Sequence, residues 1–279
     1  MTVHLCTACG TSTPDAAAPP AACRICGDER QYVPRGGQGW TTRDALAAGH
    51  RNAWALAEPG LMSLQTVPAF AINQRAFLLA TPAGNVLWDC VALLDAATEA
   101  LVSALGGLAA IAISHPHYYT TMQDWAAAFA APVWLHAADR DWIVRPDPAI
   151  RLWHGDAQPL LPGVTAVRLG GHFAGGTVLH WAGGADGAGV LLAGDILQVT
   201  PGAHRVSFQW SYPNMMPLPA ASVRRLVSRL APWRYQRLYG AFAGQDIPRD
   251  APDIVARSAA RYCALLEGPM PDEGAARRR

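Results

Sequence analysis

Apolar and polar positions fall into blocks along residues 61–267, and block length and period indicate the elements. The runs 61–71, 75–80 and 85–90 are short and apolar. Turn residues such as Asn73 and Pro82-Ala83-Gly84-Asn85 separate them, so they read as strands and hairpins. LLDAATEALVSAL (93–105) has helical spacing, and AAIAIS (109–114) reads as a buried strand. A helix over 120–131 and a strand over 132–136 follow. Three more strands are expected at 164–169, 177–182 and 189–195, then a helix over 221–232, a strand over 236–240 and a closing helix over 250–267. Strands dominate first and strand–helix alternation follows. That order predicts an α/β fold with two sheets face to face and helices outside, a four-layered αβ/βα sandwich.

Residues 1–36 do not share this rhythm. CTACG and CRICG flank a Pro- and Ala-rich loop, DERQYVP reads as a short strand, and RGGQGW as a connector. A boundary near residues 37–42 divides the chain into a four-cysteine segment (1–40) and a larger domain (41–279). Cys6-x-x-Cys9-Gly and Cys23-x-x-Cys26-Gly are pairs in which the following glycine permits a tight knuckle. Four thiolates so spaced complete a tetrahedral site, and so small a segment needs a metal for its stability. Zinc is the expected ion, since a structural site needs no redox chemistry. The knuckles are similar to those of zinc ribbons and of rubredoxin, which holds iron. Cys90 and Cys263 lie in apolar contexts and are expected in the core.

Composition changes this picture little. The chain has 279 residues, 51% of them hydrophobic, and a formal charge of +1, which advertises neither a nucleic-acid face nor an acidic tail. All 22 basic residues are arginine, which reads as a bacterial coding bias. The basic end at 275–279 is expected to be a solvated tail. No apolar run reaches the roughly 18 residues of a membrane span, and the first residues lack the regions of a signal peptide. A cytoplasmic protein is expected, without membrane or nucleic-acid partners. A small-molecule substrate is expected, and a homodimer stays open.

Candidate chemistry sits at strand ends. His115 and His117 follow the strand at 109–114, and in an extended segment such residues face one side. His172 lies in the Gly-rich turn RLGGHFAGG, and Asp195 closes the strand in VLLAGDI. On SHPHYYT, GGHFAGGTV and LLAGDIL, residues 60–265 resemble the metallo-β-lactamase superfamily, whose pattern is H-x-H-x-D-H, a later Gly-His turn, an Asp ending a strand and a last His. The resemblance implies that His115, His117, His172 and Asp195 hold one metal, zinc or alternatively iron or manganese. Tyr119 and Thr120 stand where the pattern has Asp and His, and Ala241 stands where the last His falls, so a second metal position is expected to be lost.

The resemblance implies a metal-dependent hydrolase with a mononuclear site, acting on a small ester, thioester, lactone or amide. Its general base is open among Asp195, Tyr119 and Asp124, with Tyr119 also able to donate to an oxyanion. Two alternatives remain. One is a mononuclear iron oxidoreductase similar to persulfide dioxygenases, using His115, His172 and Asp195. The other is a metal-binding protein without catalysis. Phe208, Trp210, Tyr212, Met215 and Met216 are expected to wall an apolar pocket. His136, His154, His180 and His204 are expected to be structural or exposed, and Trp125, Trp134, Trp142 and Trp153 to pack in the core.

Overall fold

The structure is a computed structural model that describes residues 1–268. The arginine tail lies outside the described residues. Seven strands, hydrogen-bonded in chain order, form the first sheet: β1 (Arg51–Glu58), β2 (Leu61–Val67), β3 (Ala76–Thr81), β4 (Gly84–Trp88), β5 (Ala110–Ala112), β6 (Val133–His136) and β7 (Ile150–Trp153). Pairing is antiparallel up to β4 and parallel from β4 to β7. The second sheet has six: β8 (Ala157–Leu161), β9 (Val164–Arg168), β10 (Thr177–Trp181), β11 (Val190–Leu192), β12 (Arg237–Tyr239) and β13 (Asp246–Ile247). Its one parallel pair is β11 with β12. A short helix, α1 (Arg43–Gly49), precedes the first sheet.

The pleat sorts side chains into layers. Phe77, Val86, Trp88, Ala110 and Ala112 meet Leu179, Val190 and Leu192 of the other sheet in one buried cluster. Their chain neighbours Leu78, Leu87 and Ile111 point the opposite way, onto α2 (Ala96–Ala104) and α3 (Met122–Phe129) through Val102, Met122 and Trp125. On the far side Val178 and Leu191 pack beneath α4 (Ala220–Leu230) and α5 (Ala251–Glu267). Period-2 alternation in strands buried on both faces thus yields helix, sheet, sheet and helix layers. Local signals start the helices. Asp95 caps α2 by accepting from Thr98 N, and α4 buries Ala220, Val223, Leu226 and Leu230 along one stripe.

A parallel pair needs a crossover, and both sets of crossovers leave strand ends at the same rim. The N-terminal segment covers that rim. Leu5–Cys6 pairs antiparallel with Trp40–Thr41, and Cys6, Ala8, Cys9, Cys23 and Ile25 form a small cluster against Trp142 and Val144. Ser12 N donates to the Thr120 carbonyl at 2.9 Å, tying the segment to the end of β5's connection. Residues 28–34 are turns and irregular chain rather than the expected strand. Asp28 Oδ1 accepts from Arg30 N at 2.9 Å and folds the chain back on itself, and Pro34 has no N–H for a ladder. Cys90 and Cys263 are buried, as are Trp125 and Trp153.

Candidate metal centre

His115 lies three residues beyond β5 and Asp195 three residues beyond β11, so the two sheets bring them together from opposite sides. Their approach depends on Gly194. Its φ is +53°, and a Cβ there would lie 2.5 Å from Ser114 Oγ. Only glycine lets the two chains pass so closely. His172 arrives from the turn between β9 and β10, where Gly175 N donates to the buried Asp139 carboxylate at 2.7 Å.

The His115–His117 segment is not extended throughout. His115 is extended, but Pro116–Tyr118 is a single 3-10 turn with proline at its start. Residues three apart eclipse in such a turn, so Tyr118 swings over His115, with ring centroids 4.4 Å apart. His117 still converges. The rings of His115, His117 and His172 stand 5.0, 5.1 and 5.0 Å apart in pairs, each edge-on to the next.

Within this triangle the donor atoms have no ordinary partners. His172 Nδ1 donates to the Trp210 carbonyl at 2.8 Å, leaving a lone pair on Nε2, which lies 3.3 Å from His117 Nδ1. His115 Nδ1 is 2.9 Å from Ser114 Oγ, and its Nε2 is 3.5 Å from Asp195 Oδ2. His115 Nε2, His117 Nε2 and Asp195 Oδ1 are buried and unpaired among the described residues. Ligands about 2.0–2.1 Å from a tetrahedral ion stand about 3.3 Å apart. The observed separations match that spacing, so the four residues fit one metal. Buried carbonyl and hydroxyl groups behind His172 and His115 fix the two rings, as second partners of metal-binding imidazoles do.

The charges agree with a cation site. Burial pushes the His172 pKa down to about 3, with charge on His115 adding to it, and pushes that of His117 well below normal for the same reasons. Burial alone would raise the Asp195 carboxyl. Hydrogen bonding and charge from His115, with His172 and Tyr118 beside it, hold it below the usual carboxylate range. Imidazoles held neutral at His117 and His172, facing a carboxylate, are what a divalent ion binds.

The four cysteines make the second convergence. Cys6 Sγ lies 3.5 Å from Cys26 Sγ, and Cys9 Sγ 3.6 Å from Cys23 Sγ. Sulfurs about 2.3 Å from a tetrahedral ion stand about 3.8 Å apart. The thiols hydrogen-bond to one another, so an ion bound among them would displace protons that they share. In each knuckle an amide turns inward: Gly10 N donates to Cys6 O and Gly27 N to Cys23 O. Among the described residues these two sets are the groups of three or more convergent metal donors.

Other expectations fare differently. Tyr119 is buried in the first sheet's outer core, and Tyr118 instead faces His115, its hydroxyl buried and unpaired. Thr120 and Ala241 are buried as well. Asp124 is paired with Arg145 at 2.6 Å. Of the aromatic and Met-rich stretch, Tyr212 lines the cavity beside the centre, while Phe208 is buried in the second sheet's core. Trp210 contributes its carbonyl to His172. Met215 and Met216 are exposed, at 82% and 44%. His136 Nε2 meets the Gly155 carbonyl at 3.1 Å and His180 Nε2 the Arg234 carbonyl at 2.7 Å, so both are satisfied structurally.

Comparison with known proteins places this geometry. The Bacillus subtilis (strain 168) protein YmaE, described as uncharacterized, is 43% identical over 272 residues, covering 97% of this chain and 99% of that protein. This chain belongs to the YmaE family. No family model matches it. Among solved structures, the metallo-β-lactamase DIM-1 is 12% identical with a TM-score of 0.56, covering 78% of this chain and 97% of that one. A Cronobacter sakazakii metallo-β-lactamase with a HARLDQ motif is 20% identical with a TM-score of 0.50, covering 80% of this chain and 95% of that one. The fold is that of the metallo-β-lactamases, and the four-cysteine knuckle lies at this chain's N-terminal side.

Sequence reasoning missed several residues at the centre. A cavity of about 130 Å³ opens beside His117 and Asp195, bounded by Tyr32, Ile72, Tyr212 and Phe242 and also by Arg30 and Gln31. Three of these come from the knuckle segment, and no local pattern announces a contact across such a distance in sequence. Tyr118 could have been found from the i, i+3 relation once a turn was read at Pro116. No helix of the described residues is long and apolar enough to cross a membrane.

Proposed function

We propose that this protein is a mononuclear metal-dependent hydrolase of small esters, thioesters, lactones or amides. Zinc is the ion proposed for the His115–His117–His172–Asp195 centre and for the cysteines. The observation that carries the reading is the pair of donor separations among these buried side chains at the edge of a cavity, 3.3 Å from His172 Nε2 to His117 Nδ1 and 3.5 Å from His115 Nε2 to Asp195 Oδ2. An ion held there would polarise a carbonyl oxygen and acidify water, the two services hydrolysis needs near neutrality.

The protein's own groups supply the rest. Asp195 keeps one carboxylate oxygen unpaired and is held ionised, so it can take a proton from attacking water. Tyr118, buried and protonated beside it, offers a hydroxyl to the developing oxyanion. Ile72, Tyr212 and Phe242 give the cavity apolar walls. An iron oxidoreductase would use three ligands and leave positions open for oxygen. His117 Nδ1 stands within the same convergence as a fourth donor, which counts against the three-ligand iron reading.

The test combines metal content with turnover. Purified protein should hold two zinc equivalents and hydrolyse activated members of these classes. His115→Ala should hold one and lose activity by about a thousandfold, on the scale of losing a catalytic metal group. Iron at the His/Asp centre, or a zinc-loaded protein inert toward all four classes, would overturn the reading.

A further inference from the structure

The knuckle segment does more than sit on the sandwich. Arg30 donates to both oxygens of Asp28, from Nε at 2.7 Å and Nη2 at 2.9 Å, and its Nη1 reaches the His172 carbonyl at 3.0 Å. Its guanidinium lies 3.8 Å above the Phe173 ring. The neighbouring loop is held as well, since Ser211 Oγ and Asn214 Nδ2 both donate to the Glu29 carbonyl, at 2.7 and 2.8 Å. The next two residues, Gln31 and Tyr32, border the cavity together with His117 and Asp195.

We propose that the four-cysteine segment is the substrate-selecting wall of the metal centre, and that the wall selects a neutral substrate carrying an apolar ring. The inference rests on the hydrolase reading only in calling the ligand a substrate. Three features carry it. First, Tyr32, Ile72, Tyr212 and Phe242 give the cavity an apolar lining. Second, its volume, about 130 Å³, is near that of a cavity that admits one benzene-sized group. Third, Arg30 is the one arginine on the lining, and Asp28 neutralises it while the His172 carbonyl takes a further N–H. An anionic side group therefore finds no free side-chain cation there among the described residues. The segment can hold this wall only while its own fold is held, which is the task of the four thiolates.

Three hydroxamates binding the loaded centre test the proposal without requiring turnover. With cobalt at both sites, thiolate charge-transfer bands report the knuckle, and weaker ligand-field bands report the His/Asp centre. Benzohydroxamate should bind the full-length wild type about tenfold or more tightly than acetohydroxamate, the effect of burying most of one ring. A para-carboxylate on the ring should cancel that advantage. Tyr32→Ala, at a side chain more than half exposed (54%), should keep the ligand-field bands and acetohydroxamate affinity while losing most of the ring preference. Cys6→Ser should lose the charge-transfer bands and the preference together. A wild type without ring preference, a carboxylate that strengthens binding, or a Tyr32→Ala variant as selective as wild type would each overturn the wall. A protein that selects the ring yet hydrolyses no ester, thioester, lactone or amide upholds the wall and overturns the hydrolase.

Discussion

Gly194 and Ser114 stand where the two sheets touch: a side chain at 194 would place its Cβ 2.5 Å from the hydroxyl that meets His115 Nδ1. The glycine's φ of +53° adds backbone strain to that collision. Gly194→Ala should therefore separate the ends of β5 and β11, costing about 1–3 kcal/mol of stability. It should also pull His115 from Asp195. Thermal unfolding gives the first quantity, and metal content falling from two equivalents to one gives the second. An alanine variant with full metal content would show that the strand ends tolerate separation.

Arg30 links the knuckle to the centre through a single carbonyl, that of His172. Arg30→Ala removes a charged hydrogen bond and the cation above Phe173, and leaves Asp28 half-buried without its partner. The guanidinium's hydrogen bond now holds the Asp28 carboxyl below its usual pKa. A loss of about 2–3 kcal/mol is expected for such a group. Because His172 is then less fixed, metal affinity at the His/Asp centre should fall about 10–100-fold. Titration with a competing chelator measures it. Arg30→Lys can restore the charge but not the fork that spans Asp28 and His172, so it should recover only part of the affinity.

How far the sequence disclosed this site depends on how local each signal is. The layers were legible because strands buried on both faces must alternate, and Leu78, Leu87 and Ile111 do so. The convergence of His115, His117, His172 and Asp195 was legible because each follows a strand or occupies a Gly-rich turn. β1 was not, since RNAWALAE has a single buried residue and is a strand only by pairing with β2 at the sheet's edge. The pattern's Asp position points to Tyr119, whereas the turn at Pro116 brings Tyr118 against His115. The wall at residues 30–32 was invisible for another reason. Arg30 and His172 are 142 positions apart, and nothing local in either segment encodes their contact.

Asp139 offers a pH-dependent test of the His172 turn. Burial raises its carboxyl from 3.8 to about 6, although Gly175 N donates to it. In this window the folded chain binds more protons than the unfolded one, so stability falls as pH rises. The contribution is full below the unfolded value and is lost as pH passes the folded one. Asp139→Asn, which keeps an oxygen for Gly175, should flatten this dependence. The difference in unfolding free energy between wild type and variant should change by on the order of 2–3 kcal/mol between about pH 4 and about pH 7. Parallel pH profiles for the two proteins would mean that the carboxyl titrates normally.

Metal removal should proceed in two stages, because the two centres differ in exposure to attack. The His/Asp centre borders an open cavity, whereas Cys6, Cys9 and Cys23 are almost fully buried. A chelator should therefore strip the cavity ion first, leaving the knuckle intact. In the second stage the thiolates lose their ion, and the segment, with only a five-residue apolar cluster of its own, should open locally. Amide exchange reads this directly. Gly10 and Gly27, whose N–H groups close the two knuckles, should lose protection in the second stage only. Ile111 N, which donates to the Pro132 carbonyl between β5 and β6, should stay protected throughout. If Gly10 and Ile111 were exposed together, the knuckle's metal would be supporting the whole sandwich, and its loss could not be separated from unfolding.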